Sequence, residues 1–111
     1  MIKNFGFRYK GKKKIIKVEE CRTLFEKARG LMFRKNSLPL LFYFNKPTNE
    51  SIHSFFCKPF FAIWFLDNKI IDGKLVNSNK FSIKPKEKFN LLLEIPFNDN
   101  NFLNFVDERK V

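Results

Sequence analysis

The chain has 111 residues, a mass of 13.3 kDa and a formal net charge of +11, a size that supports one hydrophobic core and not two. Its 44% apolar and 17% aromatic content excludes a disordered tail, and its longest apolar run, Phe60 to Leu66, is far short of the ~18 residues of a membrane span. Cys21 and Cys57 stand apart without a Cys-x-x-Cys pair, and the first twenty residues carry charge throughout, so the chain signals no zinc site, disulfide framework or secretory leader and reads as cytoplasmic.

Phe5 to Tyr9 alternates apolar with basic or small residues, the period-two pattern of a half-exposed strand. Lys10-Gly11-Lys12 fits a turn and Lys14 to Val18 a returning strand, giving an N-terminal hairpin over residues 1–18. Thr23-Leu24-Phe25-Glu26 fits a capping box that opens a short helix from Leu24 to about Arg29, and Gly30 stands where a left-handed residue ends one. Leu40 to Phe44, between Pro39 and Pro47, reads as a buried strand, followed by a polar loop over Lys46 to Ser51. Ile52 to Cys57 is expected as the next strand, and Phe60 to Leu66 as the most apolar one. Asp67-Asn68-Lys69 turns the chain into Ile70 and Ile71, so these last two runs form an antiparallel hairpin. Asn77 to Lys88 reads as a long surface connection, Leu91 to Ile95 as a strand stopped by Pro96, and the Asn-rich tail from Phe97 as a docked helical turn or strand. Short strands, one early helix and no βαβ alternation predict a mainly β single domain over residues 1–111, a β-sandwich-like or open-barrel fold.

Several of these residues form an ordered set: Arg29-Gly30-Leu31-Met32-Phe33-Arg34, then Ile52-His53-Ser54-Phe55-Phe56, Phe65-Leu66-Asp67 and Leu92-Leu93-Glu94-Ile95-Pro96. In this order they resemble the domain of unknown function 192 family, most closely its archaeal branch, over about residues 18–96. The positions carrying the resemblance are Arg29, Gly30, Leu31, Met32, Arg34, His53, Phe55, Asp67, Glu94 and Pro96. It implies a sandwich-like or barrel-like β domain with a small helical element, and it implies no known reaction, cofactor or substrate. One departure is Phe60-Phe61-Ala62, where family members often carry Pro-hydrophobic-Asp; an acidic role there in relatives is missing here.

The charge is uneven. Residues 1–35 hold twelve Lys or Arg against three Glu, whereas the remainder is close to balanced, an arrangement that attracts phosphates and other anions. The candidate anion-binding residues are Arg8, Lys10, Lys12, Lys13 and Lys14 around the hairpin turn, with Arg29 and Arg34 at the end of the expected helix. Phe5, Phe7 and Tyr9 share a face opposite Gly6 and Arg8 and are expected to turn to the core, which favours phosphate contact over base stacking. The plainer alternatives are a solvated lysine-rich turn, and for Arg34 a pairing with Glu94 or Asp67. His53 is the sole histidine, so a multi-histidine metal site is excluded, and a Cys–His nucleophile would require Cys21 to approach it from another element. No phosphate loop, serine elbow or paired carboxylates are present, no cofactor is implied, and binding is expected rather than catalysis. Three readings follow: a nucleic-acid or polyanion binder using the basic hairpin, a small-ligand barrel lined by Phe55 and Trp64, and a partner-binding protein with an aromatic surface.

Overall fold

The computed structural model describes residues 1–22, 38–54, 57–80 and 82–96. Within them six strands form one sheet: β1 (Ile2–Tyr9), β2 (Lys12–Cys21), β3 (Leu40–Thr48), β4 (Phe60–Leu66), β5 (Lys69–Val76) and β6 (Phe89–Pro96). The spatial order is β1-β2-β3-β6-β4-β5, so the last strand enters between β3 and β4 and pairs antiparallel with both. β2 and β3 are parallel over Glu19–Cys21 and Leu40–Phe42, a pairing that requires a crossover between them. The expected helix from Leu24 to Arg29 falls in that crossover and, with Gly30 to Arg34 and the tail beyond Pro96, lies outside the described residues.

Both predicted hairpins are present, and their turns have a common cause. Lys10 and Gly11 have φ of 51° and 80°, and Asp67 and Asn68 have 48° and 70°. Two consecutive residues at positive φ give the two-residue turn whose twist matches that of the flanking strands, and Gly, Asn and Asp enter that region at least cost. Asp67 is further tied to Asn90 of β6: its backbone N–H donates to Asn90 Oδ1 at 3.2 Å, and Asn90 Nδ2 donates to Asp67 Oδ1 at 3.2 Å.

β4 and β6 are buried along nearly their whole length, because the sheet carries a core on each face. On one face Phe61, Ile63 and Phe65 pack with Leu91, Leu93, Ile95 and Leu41, and against them lie Phe7, Tyr9, Ile16 and Val18 of the first hairpin. On the other, Phe60, Ala62 and Trp64 pack with Leu40, Phe42, Phe89, Leu92, Cys21 and Cys57. Three strands separate β1 from β4 in the sheet order, yet Phe5 and Phe7 each meet Phe65 edge-on with ring centroids 5.7 Å apart, and Tyr9 meets Phe61 at 6.0 Å. The sheet therefore curls until its first strand lies over its fourth, a half-barrel; each such ring pair adds about 0.5–1.5 kcal/mol beyond burial.

Two expectations need correction. The predicted strand from Ile52 to Cys57 does not form across its described residues: Ile52 makes a single bridge to Ile83, and His53, Ser54 and Cys57 are outside any strand. Ser54 explains why. Its backbone N–H donates to Lys80 O at 3.0 Å, its carbonyl accepts from Asn79 at 2.8 Å and from Cys57 at 3.2 Å, and its hydroxyl donates to Asn77 O at 2.6 Å while accepting from Lys80 N at 2.7 Å. A buried serine saturated by the 77–80 segment takes this stretch out of strand pairing. The polar loop predicted over Lys46 to Ser51 instead begins after Thr48, since β3 runs through Pro47. The proline is tolerated because the ladder to β6 is irregular between Tyr43 and Thr48 and asks for no N–H there.

Candidate functional site

The register of the first hairpin divides its charge between two faces. Lys3↔Val18, Phe5↔Ile16, Phe7↔Lys14 and Tyr9↔Lys12 lie on the inner side, where the apolar members enter the core, while Ile2↔Glu19, Asn4↔Lys17, Gly6↔Ile15 and Arg8↔Lys13 lie on the outer side. The aromatic residues are thus inside, as their alternation requires. Lys12, Lys13 and Lys14, adjacent in sequence, do not form one patch: Lys13 faces out with Arg8, and Lys12 and Lys14 pair with Tyr9 and Phe7 on the inner side.

On the outer face Arg8 and Lys13 sit directly opposite each other, and like charges so paired repel unless an anion lies between them. Arg8 turns one guanidinium nitrogen, Nη1, to the Gly11 carbonyl at 3.3 Å, which leaves its remaining donors for other acceptors. Ile15, 62% exposed, lies between Lys13 and Lys17 on the same face. Lys10 Nζ stands 5.8 Å from the centre of the Tyr9 ring, a cation–π contact that orders the turn. From Lys3 to Val18 the chain holds seven basic residues and no acidic one.

The base of the hairpin is different. Glu20, with its side chain only 7% exposed, accepts from Lys3 Nζ at 3.1 Å and from Arg22 Nη2 at 3.2 Å. The Arg22 guanidinium lies 3.8 Å and Lys3 Nζ 5.1 Å from the centre of the Tyr43 ring. A hydrogen bond from Tyr43, then those from Lys3 and Arg22, hold the Glu20 carboxyl down at about 2, and Tyr43 and Glu20 in turn raise Lys3. Here the positive charges are consumed internally, whereas those of the outer strip face solvent.

The second sheet face holds the opposite situation. Glu94, 5% exposed, is flanked by Leu40 on β3 and Ala62 on β4, and burial pushes its carboxyl up to about 8. Burial, and then Glu94, push the Cys57 thiol up to about 11, far from the thiolate a nucleophile requires. The Trp64 indole Nε1, diagonal to Glu94 across β4 and β6, is buried and has no hydrogen-bond partner among the described residues. Trp64 packs inside this face against Phe89, centroids 6.4 Å apart. Among the described residues no cluster of three His, Cys, Asp or Glu could hold a metal ion.

Of the residues marked out by sequence, the structure thus brings Arg8, Lys10 and Lys13 together at the hairpin tip, with Lys12 and Lys14 on its other side. It sets Asp67 on Asn90 and Glu94 in the second core, with Pro96 at the end of β6 opposite Phe60. Arg29, Gly30, Leu31, Met32, Arg34 and Phe55 lie outside the described residues. Sequence reasoning missed Lys17 and Asn4, although counting by twos from Lys13 and Arg8 places both on the outer strip. It also missed the cluster of Glu20, Tyr43, Lys3 and Arg22, which only the pairing of β2 with β3 assembles.

No family model matches the chain, and no curated protein matches it. Two solved structures share its fold. One is a protein of unknown function from Novosphingobium aromaticivorans DSM 12444, at 20% identity and a TM-score of 0.76, covering 86% of this chain and 73% of the other. The second is a "putative transcription regulator" from Sinorhizobium meliloti 1021, at 18% identity and a TM-score of 0.72, covering 82% of this chain and 76% of the other. The curled six-stranded architecture is therefore one that other proteins adopt with little sequence in common.

Proposed function

We propose that this protein is a small cytoplasmic binding domain whose N-terminal hairpin holds nucleic acid or a related polyanion. One observation carries the reading: the outer hairpin face sets Arg8, Lys13 and Lys17 together with no acidic residue between Lys3 and Val18. Flexible cations at a solvent-facing surface neutralise phosphates and release condensed counterions, the main source of affinity in non-specific nucleic-acid binding. The name of the Sinorhizobium meliloti neighbour fits such a role. Membership of the domain of unknown function 192 family, and a single domain spanning the chain, belong to the same reading. So does an anion-binding part for Arg29 and Arg34.

The test is binding of fluorescent RNA and DNA oligomers across a salt series, with the wild type beside a variant in which Lys12, Lys13 and Lys14 become Gln. Three or four phosphate contacts predict that log affinity falls with log salt at a slope of about −2 to −4, and that the variant binds more weakly with a shallower slope. Absence of binding at low salt overturns the reading.

A second reading has one observation of its own. The Trp64 N–H, unpartnered among the described residues, and the buried Glu94 carboxyl share the second sheet face, a polar pair in apolar walls that suits a small ligand with hydrogen-bonding groups. Such binding would persist at high salt and survive loss of the hairpin lysines, and ligand-induced thermal shifts would detect it.

A further inference from the structure

We infer that the outer face of the β1–β2 hairpin binds double-stranded DNA, gripping the phosphates on the two walls of the major groove; this rests on the polyanion reading and specifies its ligand. The first reason is what the outer face lacks. Proteins that bind single strands pair a basic groove with aromatic platforms on which bases stack. In this hairpin Phe5, Phe7 and Tyr9 are all turned inward onto Phe65 and Phe61. The outer face offers Asn4, Gly6, Arg8, Lys13, Ile15 and Lys17, with no ring among them.

The second reason is shape. Among the described residues, Lys12 to Val18 of β2 pair only with β1, since the parallel contact with β3 begins at Glu19. The distal hairpin is therefore a two-stranded ribbon, stiffened from behind by the core, and its outer side is a firm face that can lie across the mouth of the B-DNA major groove.

The third reason is spacing. Lys13 and Lys17 are four positions apart, about 13 Å along a strand, against a groove about 12 Å wide. Arg8 and Lys13 as cross-strand neighbours then meet one phosphate wall, and Asn4 and Lys17, likewise paired, meet the other. Between them Ile15 and the side-chain-free Gly6 face the groove opening without a competing charge. Glu19, opposite Ile2, closes the strip at its proximal end. Duplex DNA also has the higher charge density, which favours it over single strands for a binder that works through phosphates alone. The narrow major groove of duplex RNA does not match that phosphate spacing. An anionic membrane surface suits the strip less well, because Asn4 and Lys17 separate its exposed Ile15 from Ile2 and Met1 and no continuous apolar face results.

The experiment is fluorescence anisotropy at one low salt concentration with a DNA duplex of about two helical turns. Its separated strands and the RNA duplex of the same sequence are measured alongside, and anionic phospholipid vesicles by sedimentation. The duplex is expected to bind about tenfold or more tighter than either strand or the RNA. Two charge insertions at exposed apolar positions sharpen it, each variant first shown to be folded by circular dichroism. Ile15→Asp removes duplex binding, whereas Leu75→Asp, on β5 and 44% exposed in the wild type, leaves at least half of it. Equal or tighter binding of single strands, or of vesicles, overturns this inference while leaving a polyanion site in place. No binding to any probe overturns the polyanion reading as well.

Discussion

The first hairpin and the β4–β6 pair solve the placement of polar groups in opposite ways, and their two buried glutamates show it. Glu20 and Glu94 both expose little surface, at 7% and 5%, but Glu20 lies near the surface beside the half-exposed Lys3 and the exposed Arg22, while Glu94 is enclosed in the second core. Glu20 is surrounded by Tyr43, Lys3 and Arg22 and ionises at about 2; Glu94 is flanked by Leu40 and Ala62 and holds its proton to about 8. Burial alone favours the neutral acid, while hydrogen bonds and cations that reach the charged form reverse the sign. The hairpin, with one face in water, can therefore keep its charges and present them. The central strands, apolar on both faces, strip charge away.

The largest effect expected from breaking this arrangement is at the seam between the two regions. Phe61 is buried, meets Tyr9 of the hairpin edge-on, and lies 3.3 Å from the position a Cβ on Gly73 would occupy. Phe61→Ala is expected to cost about 3–5 kcal/mol, read from urea unfolding, because it opens a cavity under the hairpin. Next is Glu94→Gln. The raised carboxyl means that the native state binds a proton that the unfolded chain has released, so wild-type stability declines as pH rises from 4.5 towards 8, by up to about 1.4 kcal/mol per pH unit. The glutamine variant lacks that decline and is the more stable protein at pH 8, by thermal melting at each pH. A wild type with flat stability over this range would contradict a raised Glu94 carboxyl.

Glu20→Gln should act at the other end of the scale. A lowered carboxyl contributes stability above 4.5 that is lost as pH falls from there towards 2, so the variant melts lower than wild type at pH 6 and the two converge in acid. The smallest signal is chemical. With its thiol pushed up to about 11, Cys57 should react with iodoacetamide at pH 7.5 far more slowly than a free thiol, and modification before unfolding would contradict its burial.

Much of this fold could be read from local pattern. Lys10-Gly11 and Asp67-Asn68 announce their turns, and the alternation from Phe5 to Tyr9 places the aromatic residues inside. What local pattern could not supply is long-range pairing. The entry of β6 between β3 and β4 leaves Glu94 between two apolar neighbours, and the parallel contact of β2 with β3 brings Tyr43 to Glu20. Ile52 to Cys57 looked like a strand because its composition is that of one; the hydrogen bonds of Ser54 to residues 77–80 cannot be seen from its neighbours in sequence. The outer strip was half legible, since Lys12, Lys13 and Lys14 read as one cluster until the register divides them.

That division gives the most direct test of the account. Lys13→Gln/Lys17→Gln and Lys12→Gln/Lys14→Gln each remove two positive charges, the first pair from the outer hairpin face and the second from its inner rim. Their affinities for duplex DNA would be compared with wild type over a salt series. The account predicts that the outer pair lowers affinity about tenfold or more and makes the slope shallower by nearly 2, while the inner pair changes the slope by less than 1. Equal losses from the two pairs would mean that net charge, and not a built face, holds the polyanion, and would contradict it.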